Sequence, residues 1–250
     1  MSINAAHIQV YASASMPTTD NEQSGGVINS GIRITFTDIS ATDDIELVSD
    51  DANDTQEWII IGRNAGGSII SETGNLSGTT VVTTTATFER ILRMTVDSLP
   101  TGIITVRKES DNVTIGQMSG QITGIFRPFY NAVANPTTER TNDVYEKVFI
   151  RNDHLTLNLL SATVQELSSG VYERVEFTLE DAVNDNNSVT GRLNTEPAGN
   201  NEAFSSDTKA VPGTNLDAGD AIGVWLKLNL PSGQAANEDN YVLRVNGNTT

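Results

Sequence analysis

The chain has 250 residues, 37% of them hydrophobic and 19% charged, with a formal net charge of -17 and no cysteine. That length accommodates one large domain or two of ordinary size. The missing thiols exclude disulfides, thiolate catalysis and cysteine-based metal sites, and the acidic balance argues against direct packing on DNA, RNA or anionic membranes.

The charge is spread evenly. Residues 1–125 carry 6 Lys+Arg against 15 Asp+Glu, and residues 126–250 carry 9 against 17. Thr, Ser, Asn and Gly fill the space left by the low apolar and charged fractions. That mixture favours short strands joined by turns, since Thr fits a pleated surface while Asn and Gly accept positive φ. Residues 1–15 have neither the charged start nor the apolar stretch of a signal peptide, which points to synthesis in a reducing cytoplasm. No segment approaches the roughly 20 apolar residues of a membrane-spanning helix.

In chain order, residues 1–26 read as a polar N-terminal arm. Residues 3–12 are readable as a short strand, and Pro17 and the Gly25-Gly26 pair mark a linker. Period-2 alternation begins after it. In residues 31–37, Ile32, Ile34 and Phe36 share a face. Strands are expected at residues 43–48 and at 56–62, the second rich in Trp and Ile. The turn Asn64-Ala65-Gly66-Gly67 leads into a hairpin partner at 68–72. Residues 78–82 follow. Residues 88–96 place Phe88, Ile91 and Met94 at helical spacing but sit among strands and are read as one. Residues 102–107 and 113–116 complete a first domain over 27–125.

Residues 126–142 contain Pro128 and Pro136, which stop regular pairing, and are read as a linker. A second domain is expected over 143–250. Its first strand, 145–151, sets Tyr145, Lys147 and Phe149 on one face and Glu146, Val148 and Ile150 on the other. Strands at 156–165 and 172–179 follow. Residues 180–219 form a long polar stretch, a length expected of a functional loop or one resting on a partner. Residues 221–230 are the strongest strand, with Ile222, Val224, Leu226, Leu228 and Leu230 alternating, and 241–245 the last. The whole reads as all-β: two β-sandwich domains, Ig-like or jelly-roll-like, with an N-terminal arm.

No catalytic, cofactor-binding or metal-binding residue is assigned, and no cofactor is expected. His7 and His154 are read as surface or turn residues. The clusters 181–187 and 49–54 gather oxygen ligands but lack the alternating acids, Gly and late Glu of an EF-hand loop, so they read as solvated turns. Residues 62–67 lack the Lys-Ser/Thr of a P-loop. There is no Gly-x-Ser-x-Gly elbow. Trp58 is expected in the core. Trp225 lies opposite Ile222, Val224 and Leu226, either on a second buried face or at an interface.

Two segments carry a resemblance. The first runs from Asp54-Thr55-Gln56-Glu57-Trp58-Ile59-Ile60-Ile61-Gly62-Arg63 through residues 70–80 to Phe88-Glu89-Arg90-Ile91. The second is Ala221-Ile222-Gly223-Val224-Trp225-Leu226-Lys227-Leu228-Asn229-Leu230-Pro231-Ser232-Gly233. Both resemble segments of virion structural proteins of tailed bacteriophages, soft strand-and-turn patterns over about half of the chain that carry no functional residues. The resemblance implies a non-enzymatic capsid decoration or cement protein, made in the host cytoplasm and carried on the outer surface of the virion. Its expected partners are the major capsid protein and copies of itself, as a homo-oligomer on the particle, without nucleic acid or membrane. The alternative is a tail or fibre module binding a host surface glycan. A glycan hydrolase is a third reading, which would need a pocket with paired carboxylates.

Overall fold

In a computed structural model, residues 2–34, 37–132, 142–168, 175–193, 195–230 and 240–249 are described. Eighteen strands and one short 3-10 turn, Ala5–His7, make up the regular structure among them, so the protein is all-β. In chain order the strands are β1 Ile8–Ser15, β2 Ser24–Arg33, β3 Ile45–Ser49, β4 Glu57–Arg63, β5 Ile69–Asn75 and β6 Val82–Thr83. Then come β7 Arg90–Val96, β8 Ile103–Lys108, β9 Thr114–Ser119, β10 Gly124–Phe126, β11 Asn142–Asn152 and β12 Leu159–Ser168. Last are β13 Val175–Val183, β14 Ser188–Val189, β15 Lys209–Ala210, β16 Asn215–Leu216, β17 Ala221–Leu230 and β18 Val242–Thr249. Phe36, Pro136, Tyr172 and residues 231–233 lie outside the described residues.

The chain divides into two compact units, one of residues 30–127 and one joining residues 1–29 to 128–250. The segment expected as an N-terminal arm over 1–26 therefore groups with the C-terminal part. Its strand β1 runs antiparallel to β11, from Ile8 opposite Asn152 to Ala12 opposite Val148. Tyr11, Ala12 and Ser13 are buried there, and the buried Ser13 hydroxyl is satisfied by donating to the carbonyl of Ser15.

In the unit of residues 30–127, β10, β7, β4 and β5 pair in that order. β4 and β5 form the hairpin expected from the Asn64-to-Gly67 turn, with Glu57 opposite Asn75 and Arg63 opposite Ile69. A second sheet has the order β6, β3, β8, β9. Ile45 and Leu47 of β3, Ile60 of β4, and Ile104 and Val106 of β8 are fully buried, one residue in two, as the alternation requires. β7 departs from strict alternation. Ile61 pairs with Arg93 while Gly62 pairs with Ile91, so Leu92 is an extra residue, a β-bulge. Ile91, Leu92 and Met94 are all buried, and the extra residue brings Ile91 and Met94 to the same face. The bulge accounts for the spacing of Ile91 and Met94, which in a flat strand would face opposite ways; Phe88 lies before β7, in an isolated bridge to Asp43.

In the other unit the strand order is β13, β17, β11, β1 and then the start of β2, with β14 on β2 at Ser24 and Gly25. β12 pairs with β15, β16 and β18 in a separate sheet. β17 covers the ten residues read as the strongest strand, and it pairs with β11 from Ala221 opposite Arg151 to Leu230 opposite Asn142. Every residue from Val144 to Ile150 of β11 is buried, so both faces of this strand are covered. The stretch 180–219 is no free loop. It carries the end of β13 with β14, β15 and β16, and buries Arg192, Lys209, Val211 and Leu216 within its own unit. These few apolar and long basic side chains give the polar segment something to fold back with.

Candidate functional site

β11 places Glu146 and Lys147 on opposite faces, and both are fully buried. An isolated charge in such a place is very costly, so each must be paired and hydrogen-bonded. The two faces have different solutions.

Around Glu146, Arg192 supplies the counter-charge. Arg192 Nη1 donates to Glu146 Oε1, Arg192 Nη2 donates to the carbonyl of Tyr130 at 2.6 Å, and Arg192 Nε donates to Asp20 Oδ1 at 3.0 Å. The backbone N–H of Phe129 fills the second Glu146 oxygen at 2.7 Å. The main chain of Arg192 is fixed as well: its N–H donates to Asp20 and its carbonyl accepts from Tyr145 N–H.

Around Lys147, two carboxylates converge. Nζ lies 2.9 Å from Glu180 Oε1, donates to Asp185 Oδ1, and donates to the carbonyl of Asn187 at 3.1 Å. Trp225 Nε1 donates to Glu180 Oε1 at 2.6 Å, and the Asn187 side-chain amide donates to Glu180 Oε2 at 2.8 Å. The Nζ atom also sits 4.9 Å from the Phe149 ring centre and 5.6 Å from that of Trp225. Trp225 is thus wholly buried, which settles the choice its sequence position left open. Asp185 Oδ2 is buried without a hydrogen-bond partner. Burial, with Glu180 adding its negative charge, pushes the Asp185 carboxyl up to about 6 against the downward pull of Lys147. Gly223 makes the cluster sterically feasible: a Cβ there would lie 2.5 Å from Asp185 Oδ2 and 2.7 Å from both Glu180 Cγ and Lys147 Cε. Gly25, at φ +100°, does the same at the edge, where a Cβ would lie 2.7 Å from the Asn187 carbonyl and 2.9 Å from the Trp225 ring.

The two oxygen-rich clusters have structural uses. In 181–187, Asp185 serves Lys147 as above. In 49–54, Asp54 is fully buried and accepts from Ser49 Oγ at 2.5 Å, Thr101 N–H at 2.7 Å, Gly102 N–H at 3.0 Å and Gln56 Nε2 at 3.1 Å. Burial alone would raise its pKa, but these donors outweigh it and hold the carboxyl down at about 2. Among the described residues no group of three His, Asp or Glu side chains is arranged to hold a metal.

The two histidines, far apart in sequence, meet edge to face with ring centres 4.6 Å apart. His7 Nδ1 accepts from Asn4 N–H at 3.2 Å. His154 Nδ1 accepts from the N–H groups of Thr156 and Leu157 at 3.1 and 3.0 Å, and Asn152 Oδ1 accepts from His154 N–H at 3.1 Å. The result is a tight turn that holds Leu155 out into solvent, 92% exposed. Trp58 is buried as expected, and residues 62–67 form the end of β4 and the hairpin turn.

No family model, curated protein or solved structure matches this chain.

Sequence reading missed the two ionic clusters. Their one visible signal was the Glu146-Lys147 pair inside a strand whose neighbours are apolar on both faces. Their partners, Glu180, Asp185 and Arg192, were indistinguishable from other charges in an acidic, polar stretch.

Proposed function

We propose that this chain is a non-enzymatic virion structural protein that decorates and cements a phage capsid, bound across major capsid protein subunits as a homo-oligomer on the outer surface. In this reading each unit is a β-sandwich, Ig-like or jelly-roll-like. The observation that carries it is Leu155. Its turn is braced by three hydrogen bonds and a histidine contact, so an anchor is presented with little ordering left to do on binding. The net charge of -17 supports the same reading by keeping such a protein soluble before assembly and away from packaged DNA.

Binding only the assembled shell stabilises that shell by mass action, and many weak contacts per particle add through multivalency. Capsids lacking the protein are expected to lose DNA at lower temperature. Adding purified protein back restores them, and adding the Leu155→Glu variant does not. Particles that retain DNA equally well with and without the protein refute cementing. A few copies at the tail alone would favour the glycan-binding fibre.

A further inference from the structure

The Lys147 cluster holds reactive groups under conditions that a salt bridge does not require. An amine, a carboxyl group and a second carboxylate converge with their side chains at most 5% exposed. Two aromatic rings face the nitrogen. Asp185 Oδ2 is buried and unpartnered, although a carboxylate there as a permanent ion would want both oxygens satisfied. Its other oxygen accepts from the Asn187 N–H at 3.0 Å, a donor fixed in the main chain.

Amide formation needs a neutral amine, a neutral carboxylic acid, a group to carry a proton between them, and a donor for the oxygen that becomes negative. Low polarity favours the neutral pair over the ion pair. Glu180 touches the amine at 2.9 Å and is itself held by Trp225 and Asn187. Asn187 N–H is the oxyanion donor. We propose that Lys147 and Asp185 are joined by an intramolecular isopeptide bond, formed with Glu180 as the proton carrier.

The atoms balance without any added reagent. Glu180, 2.9 Å from the Lys147 ammonium, takes one proton from it and passes it to Asp185 Oδ2. The resulting amine attacks Cγ, forming the C–N bond and placing negative charge on Oδ1. Glu180 takes a second proton from nitrogen and delivers it to the Oδ2 hydroxyl. The Cγ–Oδ2 bond breaks, one water leaves, and the amide carbonyl forms at Oδ1. Nothing is oxidised or reduced. The bond ties β11 to the segment after β13, 38 residues apart in sequence, and so restricts the unfolded chain as a disulfide would in a protein that has no cysteine. This inference stands on the cluster alone and is independent of the capsid role.

Intact-protein mass spectrometry of the denatured full-length chain tests it, followed by peptide mapping. The wild type is expected to be lighter by one water than its sequence mass, allowing for the initiator methionine, and to yield a branched peptide joining Lys147 to Asp185. Asp185→Ala and Glu180→Gln are expected at their full sequence masses, with cooperative thermal melting of Glu180→Gln showing that it folds. A wild-type chain at full sequence mass overturns the proposal, as does a branch at any other residue. A folded Glu180→Gln variant that still lacks the water overturns the role of Glu180.

Discussion

The two units solve the same problem, burying strands, in different ways. In residues 30–127 the inward faces are apolar. Charged groups that are buried, Asp43, Asp54 and Lys108, stand in loops or at a strand end, where backbone N–H groups and neighbouring side chains reach them. In the other unit, charges stand in the middle of the most enclosed strand. β11 is covered on both faces, and Glu146 and Lys147 each carry their own partners. A strand with one wet face can send its charges there. A strand with none must pair them, and the pairing then fixes which distant segments pack on it, here the ones holding Arg192, Glu180 and Asp185.

Removing one partner of a buried pair is therefore expected to give the largest loss. Arg192→Ala leaves Glu146 charged and dry, and should cost about 3–5 kcal/mol in urea unfolding. The double variant Glu146→Leu with Arg192→Met should recover much of that loss, because no buried charge is left unpaired and the Asp20 carboxylate, which also loses Arg192, is part-exposed to water. A double variant as unstable as the single one would mean that the pair acts through shape and not charge. In the other unit, Ile60→Ala tests the apolar half of the contrast. It should cost roughly 2–5 kcal/mol through lost transfer energy and a cavity, with no dependence on pH.

Asp54→Ala should be smaller, about 1–3 kcal/mol, from stranding the Thr101 and Gly102 N–H groups. Its effect should depend on pH. The folded carboxyl titrates at about 2, below its ordinary value of 3.8. The stabilisation is therefore complete above pH 4 and disappears as pH falls from about 4 towards 2. The gap between wild type and Asp54→Ala measured by urea unfolding at pH 7 should narrow by pH 2. An unchanged gap would show that Asp54 contributes nothing through its charge.

The contrast also governs how much was legible in the sequence. Where a strand has one wet face, alternation reveals it: β3, β4, β8 and the β4–β5 hairpin lie close to their expected places. β17 was legible for a different reason, its length and apolar content. β7 was ambiguous because a bulge at Leu92 shifts the apolar period, and no local residue announces a bulge. The pairing of β1 with β11 could not be read, since it joins segments more than a hundred residues apart, and a polar linker next to β1 made the region look like an arm. The histidine contact was hidden in the same way, by the same pairing. The ionic clusters were hidden by abundance: with 32 acidic residues in the chain, nothing marks Glu180 and Asp185 as the two that face Lys147.

Quantifying this chain against the major capsid protein in purified virions tests the proposed role most directly. A decorating protein is expected in copy number comparable with the capsid lattice, released together with a fall in particle stability. Its absence from the virion, or its presence in full copy with no effect on stability when removed, would contradict the role.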